Sequence, residues 1–188
     1  MAGRVIWLAI AFEGGLLLLA LVLGSLLGYE PFRGIHLAWE AVLWGGVATV
    51  PPLLGMWWCA RSDWEPFLRL MREVEEKIVP IFANCSVVAL AFISLLAGLG
   101  EEALFRGVIQ AALSDWSYPW ISVVVASLLF GLGHMITPTY AILAGLLGAY
   151  LGAILVIYGN LLTVIVVHAL YDFVALIYLT QKAKGFGA

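Results

Sequence analysis

Long apolar runs recur along the whole chain, and each is close to the length needed to cross a lipid bilayer. Six runs are predicted as spans, at residues 5–28, 38–60, 78–100, 119–135, 138–158 and 161–180. A helix of about 20 apolar residues crosses the hydrocarbon core. Backbone amides in lipid must be hydrogen-bonded within their own segment, and the alternating pattern of a membrane β-barrel does not occur here. The sequence therefore predicts an all-α, polytopic transmembrane bundle with about six spans.

The composition argues against most soluble functions. Of the 188 residues, 64% are hydrophobic and only 11% are charged, whereas about 25% of residues are charged in an ordinary soluble domain. The net charge of -3 gives no indication of nucleic-acid binding, and no phosphate loop or dinucleotide motif occurs in the sequence. Cys59 and Cys85 form neither a disulfide framework nor a metal-finger spacing.

One substantial polar segment, at residues 61–77, interrupts the apolar runs. Charges of both signs alternate there with apolar side chains. This pattern predicts a short amphipathic helix that lies in the membrane interface. A solvated connector is the alternative interpretation.

Ionisable side chains inside the spans are the candidates for chemistry, because each costs at least about 2.5 to 3.5 kcal/mol at the centre of a bilayer. The third span ends with Glu101 and Glu102, and Arg106 follows shortly after them. Glu102 and Arg106 are four residues apart, so they share a helix face and can form an ion pair. Glu101 points about 100° away from Glu102 and is predicted to stay unpaired.

Two other spans carry motif residues at the same four-residue spacing. His134 follows Phe130 at the end of the fourth span, and Asp172 follows His168 in the sixth. Each residue alone has a structural interpretation, such as a hydrogen bond that holds two helices together. Their occurrence on three separate spans favours one intramembrane site, because ionisable groups within spans are usually functional.

Three motifs therefore stand in order on three apolar spans. They are Glu101-Glu102-x-x-x-Arg106, Phe130-x-x-x-His134 and His168-x-x-x-Asp172. This series resembles the motifs of the CPBP family, the CAAX proteases and bacteriocin-processing enzymes also labelled Abi, over roughly residues 80–178. The resemblance implies two units: two variable N-terminal spans with the polar connector at 1–77, and a catalytic core of about four spans at 78–188.

The resemblance also implies an endopeptidase that hydrolyses a peptide bond in a membrane-associated or lipid-anchored substrate. Glu101 would be the general base that activates water, and His134 would help to hold that water. His168 and Asp172 would stabilise the tetrahedral oxyanion, His168 through a ring N–H. An ionised Asp172 would repel an oxyanion, so it is predicted either to be protonated or to orient His168 and favour its charged form.

Three further motif residues are expected to support the site. Glu102 and Arg106 would brace the helix that carries Glu101, and Phe130 would pack beside the site without taking part in the chemistry. The small residues of the fifth span, among them Gly148, are predicted to let its neighbours approach closely. No cofactor is expected.

Other functions remain open from the sequence. Glu101, His134, His168 and Asp172 could instead be the ligands of a zinc-dependent membrane protease. A non-catalytic bacteriocin-immunity or partner-binding protein, or a transporter or proton channel, could use the same scaffold. We expect a multi-pass protein of the prokaryotic cell membrane, acting within the lipid bilayer on a peptide or protein. The oligomeric state, the substrate's identity and the side to which the site opens are not indicated.

Overall fold

A computed structural model describes the backbone of residues 2–185 and the side chains of residues 3–182. This part of the chain contains helices and no strand, so the predicted all-α class is confirmed. The helices are α1 Ala2–Leu27, α2 Trp39–Ala48, α3 Val50–Arg61, α4 Glu65–Glu73, α5 Val79–Phe82, α6 Val87–Glu102, α7 Ala111–Trp116, α8 Pro119–Gly133, α9 Pro138–Tyr158 and α10 Leu161–Gly185. Two π-helical stretches, Val74–Ile78 and Ala103–Gln110, join α4 to α5 and α6 to α7. Residues 186–188 of the predicted catalytic core lie outside the described residues.

Within the described residues, five segments are long and apolar enough to cross a membrane, so the chain is an integral, multi-pass membrane protein. They are Gly3–Leu27, Trp39–Arg61, Val87–Trp116, Pro138–Tyr158 and Leu161–Lys182. The fourth predicted span, at residues 119–135, corresponds to α8, an apolar helix of only 15 residues. This is shorter than the ~20 residues that a full crossing requires. The predicted bundle therefore contains five full-length spans and one shorter apolar helix.

The third span begins later than predicted. The hydroxyl oxygen of Ser86 accepts a hydrogen bond from the backbone N–H of Ala89 at 3.2 Å, which caps the N-terminus of α6. The apolar residues before Ser86 belong to the separate short helix α5, with Pro80 in its first turn. The predicted start at residue 78 was therefore wrong, because the apolar sequence of α5 extends the hydrophobic run beyond the helix that spans.

The polar connector forms the predicted amphipathic helix. Phe67, Leu70 and Val74 are buried on one of its faces, and Leu70 and Val74 belong to a cluster that packs against residues of α9 and α10. The other face is exposed, and there Arg69 lies 2.8 Å from Glu65 in an ion pair. Its position in the membrane interface stays a prediction.

Close helix approaches hold the central helices together. Gly98 on α6 lies against the backbone of α10, and Gly131 on α8 lies against the backbone of α9. A Cβ atom at Gly148 would lie 3.3 Å from the Cα atom of Ser127, so α9 and α8 approach closely as the small residues predict. Helix α1 packs against α6 and the π-helical stretch that follows it. These contacts bring the C-terminal end of α6, the end of α8 and the middle of α10 towards one point.

Candidate active site

Glu102 and Arg106 form a fully buried ion pair where α6 passes into the π-helical stretch. Arg106 Nη1 donates to Glu102 Oε1 at 3.0 Å, as the four-residue spacing predicts. Arg106 Nη2 donates to the carbonyl oxygen of Gly148 on α9 at 2.9 Å. The guanidinium also lies over the ring of Phe130 on α8, 4.6 Å from its centroid. Arg106 thus ties three helices together.

His168 lies buried on α10, and its two ring nitrogens face different carboxylates. Nδ1 is 2.7 Å from Oε1 of Glu102, so it donates to that carboxylate oxygen. Nε2 is 3.5 Å from Oδ2 of Asp172 and 4.0 Å from Oε2 of Glu101. Glu102 therefore fixes the ring of His168 through Nδ1, a contact that the sequence spacing did not indicate. Asp172 lies at the other nitrogen.

Glu101 lies between the two histidines. The residue is only 7% exposed, and its Oε2 atom has no hydrogen-bond partner among the described residues. That oxygen is 3.6 Å from Nε2 of His134. His134 follows the last turn of α8, where its Nδ1 lies 2.8 Å from the carbonyl oxygen of Phe130 and its ring stacks on that of Phe130. Since a carbonyl can only accept, Nδ1 carries a proton, and in the neutral ring Nε2 is then a free acceptor.

Glu101, His134, His168 and Asp172 line one cavity of about 780 Å³, which we call the site cavity. Most of its wall is apolar, and the polar side chains converge on one part of it. An apolar concave pocket with a few converging polar groups is the usual form of a site that binds a small molecule or a segment of chain. The structure therefore brings the four predicted site residues together from three helices.

Comparison with known proteins identifies the segment that holds these residues. Residues 83–174 match the family model described as type II CAAX prenyl endopeptidase, Rce1-like. The chain carries a CAAX protease domain. The resemblance seen in its motifs is thereby confirmed, and the domain is that of a membrane protease. No curated protein and no solved structure matches the chain.

The matched segment contains all seven motif residues but not the whole of the site cavity. Phe12, Met56 and Trp58 also line this cavity, and they belong to α1 and α3, which precede the CAAX protease domain. The N-terminal spans therefore supply part of the wall against which a substrate would lie. That the N-terminal spans vary among relatives stays a prediction.

Among the polar residues of the site cavity that the sequence analysis did not indicate are an acid and a tyrosine close to the motif residues. Glu13 on α1 lines this cavity, and so does Tyr140 on α9, whose ring centroid is 6.2 Å from that of His134. An acidic residue near the middle of an apolar span is a functional candidate, so the sequence did carry a signal for Glu13. Tyr140 gave no such signal, because tyrosines near span ends are common.

The possible zinc ligands can be compared with the geometry. Within residues 2–185, no three or more His, Cys, Asp and Glu side chains are grouped so that they could hold a metal ion. A direct test with a chelator distinguishes the zinc-dependent mechanism from the metal-free one.

Proposed function

We propose that the protein is a glutamate-type intramembrane endopeptidase, in which Glu101 activates the water molecule that attacks the substrate's peptide bond. The observation that supports this role is the Oε2 atom of Glu101, a buried carboxylate oxygen that has no hydrogen-bond partner among the described residues and lies near both histidines of the site cavity. A general base needs such an oxygen within hydrogen-bond reach of the proton that it removes.

The spacing of Glu101 and His134 suits a water molecule held between them. Oε2 of Glu101 and Nε2 of His134 are both acceptors, and they are 3.6 Å apart. One water molecule has two O–H donors, so it can donate to both atoms from about 2.8 Å. The oxygen of that water then points its lone pairs away from both groups, towards the carbonyl carbon of a bound peptide.

The proposed reaction has two steps, and Glu101 carries the proton in both. In the first step, the water oxygen bonds to the carbonyl carbon while one water proton passes to Glu101. The carbonyl oxygen becomes an oxyanion, which needs a hydrogen-bond donor. In the second step the C–N bond breaks and Glu101 gives its proton to the leaving amine. The remaining hydroxyl proton is released, which leaves a carboxylate and an amine.

His168 is the proposed donor to the oxyanion. Its Nδ1 hydrogen is already used by Glu102, so only the cationic ring can offer a second N–H, at Nε2. Three carboxylates surround this ring, from Glu101, Glu102 and Asp172, and such surroundings suit a cation. Glu102 and Arg106 act as positioning residues, because they hold the ring and the helix on which Glu101 lies.

Replacing Asp172 with asparagine is expected to leave activity within about tenfold of wild type. The ring of His168 is held through Nδ1 by Glu102, so its orientation does not depend on Asp172. An asparagine NH₂ group can donate to an oxyanion, as a protonated aspartate would. The measurement is kcat/KM on one cleaved peptide. A loss of hundredfold or more would show instead that the charge of Asp172 acts on His168.

We propose a membrane-associated or lipid-anchored peptide or protein as the substrate, and the prokaryotic cell membrane as the location. Glu101, His168 and Asp172 lie on segments long and apolar enough to span the membrane, His134 follows the shorter apolar helix α8, and the site cavity is largely apolar. A substrate held in or at the bilayer therefore reaches the site with its apolar groups already out of water.

The proposed activity is tested with protein purified in detergent and a library of membrane peptides, with products identified by mass spectrometry. We expect cleavage by wild type in the presence and absence of a chelator. His134→Ala should cleave about a hundredfold more slowly, because the water loses one of its two acceptors. Loss of cleavage with chelator and recovery with zinc would replace this mechanism with the metal-dependent one. Absence of any cleavage, together with full function of Glu101→Ala in cells, would indicate a non-catalytic partner-binding protein.

A further inference from the structure

Acidic side chains outnumber basic ones among the residues that line the site cavity. Three carboxylates face it, from Glu13, Glu101 and Asp172. The side chains that line it in the described part of the chain include two histidines but no lysine and no arginine. Arg106 is not among the residues that line the cavity, and its guanidinium donates hydrogen bonds to Glu102 and to the carbonyl oxygen of Gly148.

Glu13 is the carboxylate that the proposed chemistry does not use. It lies near the middle of α1, a helix that runs from Ala2 to Leu27. Its Oε2 atom is buried and has no hydrogen-bond partner among the described residues. A carboxylate at this depth is costly unless it is paired, and such residues usually mark the path of a substrate or an ion.

The contact between α1 and α6 places Glu13 beside Glu101. A Cβ atom at Gly100 would lie 2.8 Å from the backbone oxygen of Glu13 and 3.3 Å from its Oε2 atom. The absence of a side chain at Gly100 thus leaves room for Glu13 directly next to the proposed base. The charge of Glu13 interacts with those of Glu101, His168 and Asp172.

The nearby histidines leave Glu13 without a counter-charge of its own. His168 is already surrounded by Glu101, Glu102 and Asp172. Nδ1 of His134 is taken up by the carbonyl oxygen of Phe130, and its Nε2 lies 3.6 Å from Oε2 of Glu101, so any charge on this ring would pair with Glu101. The site cavity is therefore complementary to a ligand that brings a positive charge.

We propose that Glu13 binds a positively charged group of the substrate: a lysine or arginine side chain, or a free amino group, close to the cleaved bond. This inference rests on the proposed function, since it takes Glu101 as the point of cleavage. Glu13 contacts the position of Gly100. Gly100 is the chain neighbour of Glu101, and the Cα atoms of neighbouring residues are about 3.8 Å apart. The cation would therefore lie within about three residues of the cleaved bond. Because Glu13 precedes the matched segment 83–174, the N-terminal span would set specificity while the CAAX protease domain supplies hydrolysis.

The test uses one peptide that wild type cleaves, synthesised in matched versions. Each residue within three positions of the cut is made lysine in one version and norleucine, its neutral analogue, in the other. At the best position, wild type should prefer the lysine peptide by roughly tenfold or more in kcat/KM, mainly through KM. In Glu13→Gln this ratio should fall to near one, and Glu13→Asp should restore part of it. The control is Glu40→Gln, which changes an exposed acid of α2 outside the site cavity and should keep the wild-type ratio.

The outcomes separate this inference from the proposed function. A wild-type protein without a preference for lysine, or a preference that Glu13→Gln leaves unchanged, would overturn the role of Glu13. Equal loss of both peptides in Glu13→Gln would also overturn it, because Glu13 would then support the site as a whole. Cleavage that persists in Glu101→Gln would contradict the proposed function itself. Thermal unfolding in detergent, measured for each variant, shows that the ratios are compared between folded proteins.

Discussion

Glu101→Gln is expected to reduce peptide hydrolysis by about 10³-fold or more, the upper range for loss of a general base. Glutamine has the size of glutamate and keeps one acceptor oxygen, so a water molecule can still be held near His134. It cannot take the proton of that water, and the first step of the reaction is then lost. The measurement is kcat/KM on a peptide that wild type cleaves, with Glu40→Gln as the control for loss of an acid elsewhere.

The same variant should keep its stability or gain some. Glu101 is buried, and its Oε2 atom has no hydrogen-bond partner among the described residues. Removing an incompletely satisfied buried charge relieves part of its desolvation cost. The expected signature is therefore lost activity with an unchanged or higher unfolding temperature in detergent. Activity within tenfold of wild type, in a folded protein, would rule out Glu101 as the base.

The local geometry of each motif could be predicted from spacing alone. Glu102 and Arg106 are four residues apart and do form an ion pair, while Glu101 faces another direction. The interaction forms even though the π-helical stretch Ala103–Gln110 begins directly after Glu102 and contains Arg106. Spacing therefore predicts contacts within one helix well.

The sequence predicted that the motif residues of different helices converge, but it did not predict which of these residues contact each other. The bond from His168 to Glu102 joins residues 66 positions apart, and no local pattern specifies which of two adjacent glutamates faces α10. The position of Glu13 depends on how α1 crosses α6 at Gly100. A helical wheel contains no information about such crossings, so the role of the N-terminal spans in the cavity wall could not be predicted.

Hydropathy also has a limit as a guide to helix boundaries. The run that was assigned to the third span includes Val79, which belongs to the short helix α5. Val79 is buried because it packs with Leu70 and Val74 against residues of α9 and α10, and not because α5 crosses the membrane. Only the cap at Ser86 marks the true start of α6. A polar residue followed by an apolar run was therefore more informative than the run itself.

Arg106→Met is expected to lower the free energy of unfolding by about 3 to 5 kcal/mol, the range for removing one partner of a buried ion pair. Arg106 is 2% exposed and Glu102 is 0% exposed. Methionine keeps the unbranched apolar part of the side chain and removes the guanidinium with its charge and its two hydrogen bonds. Glu102 would keep only His168 as a partner, and the carbonyl oxygen of Gly148 would lose its donor. Chemical unfolding in detergent measures the change.

The double variant Glu102→Gln with Arg106→Met separates the effect of the buried charges on stability from the effect of side-chain shape. Removing both charges leaves no buried ion unpaired, so much of the lost stability should return. Oε1 of the new glutamine can still accept from Nδ1 of His168, but without a full negative charge. We therefore expect the double variant to be more stable than Arg106→Met and still less active than wild type. Stability equal to that of Arg106→Met would show that the guanidinium acts through Gly148 and the ring of Phe130 instead of through Glu102.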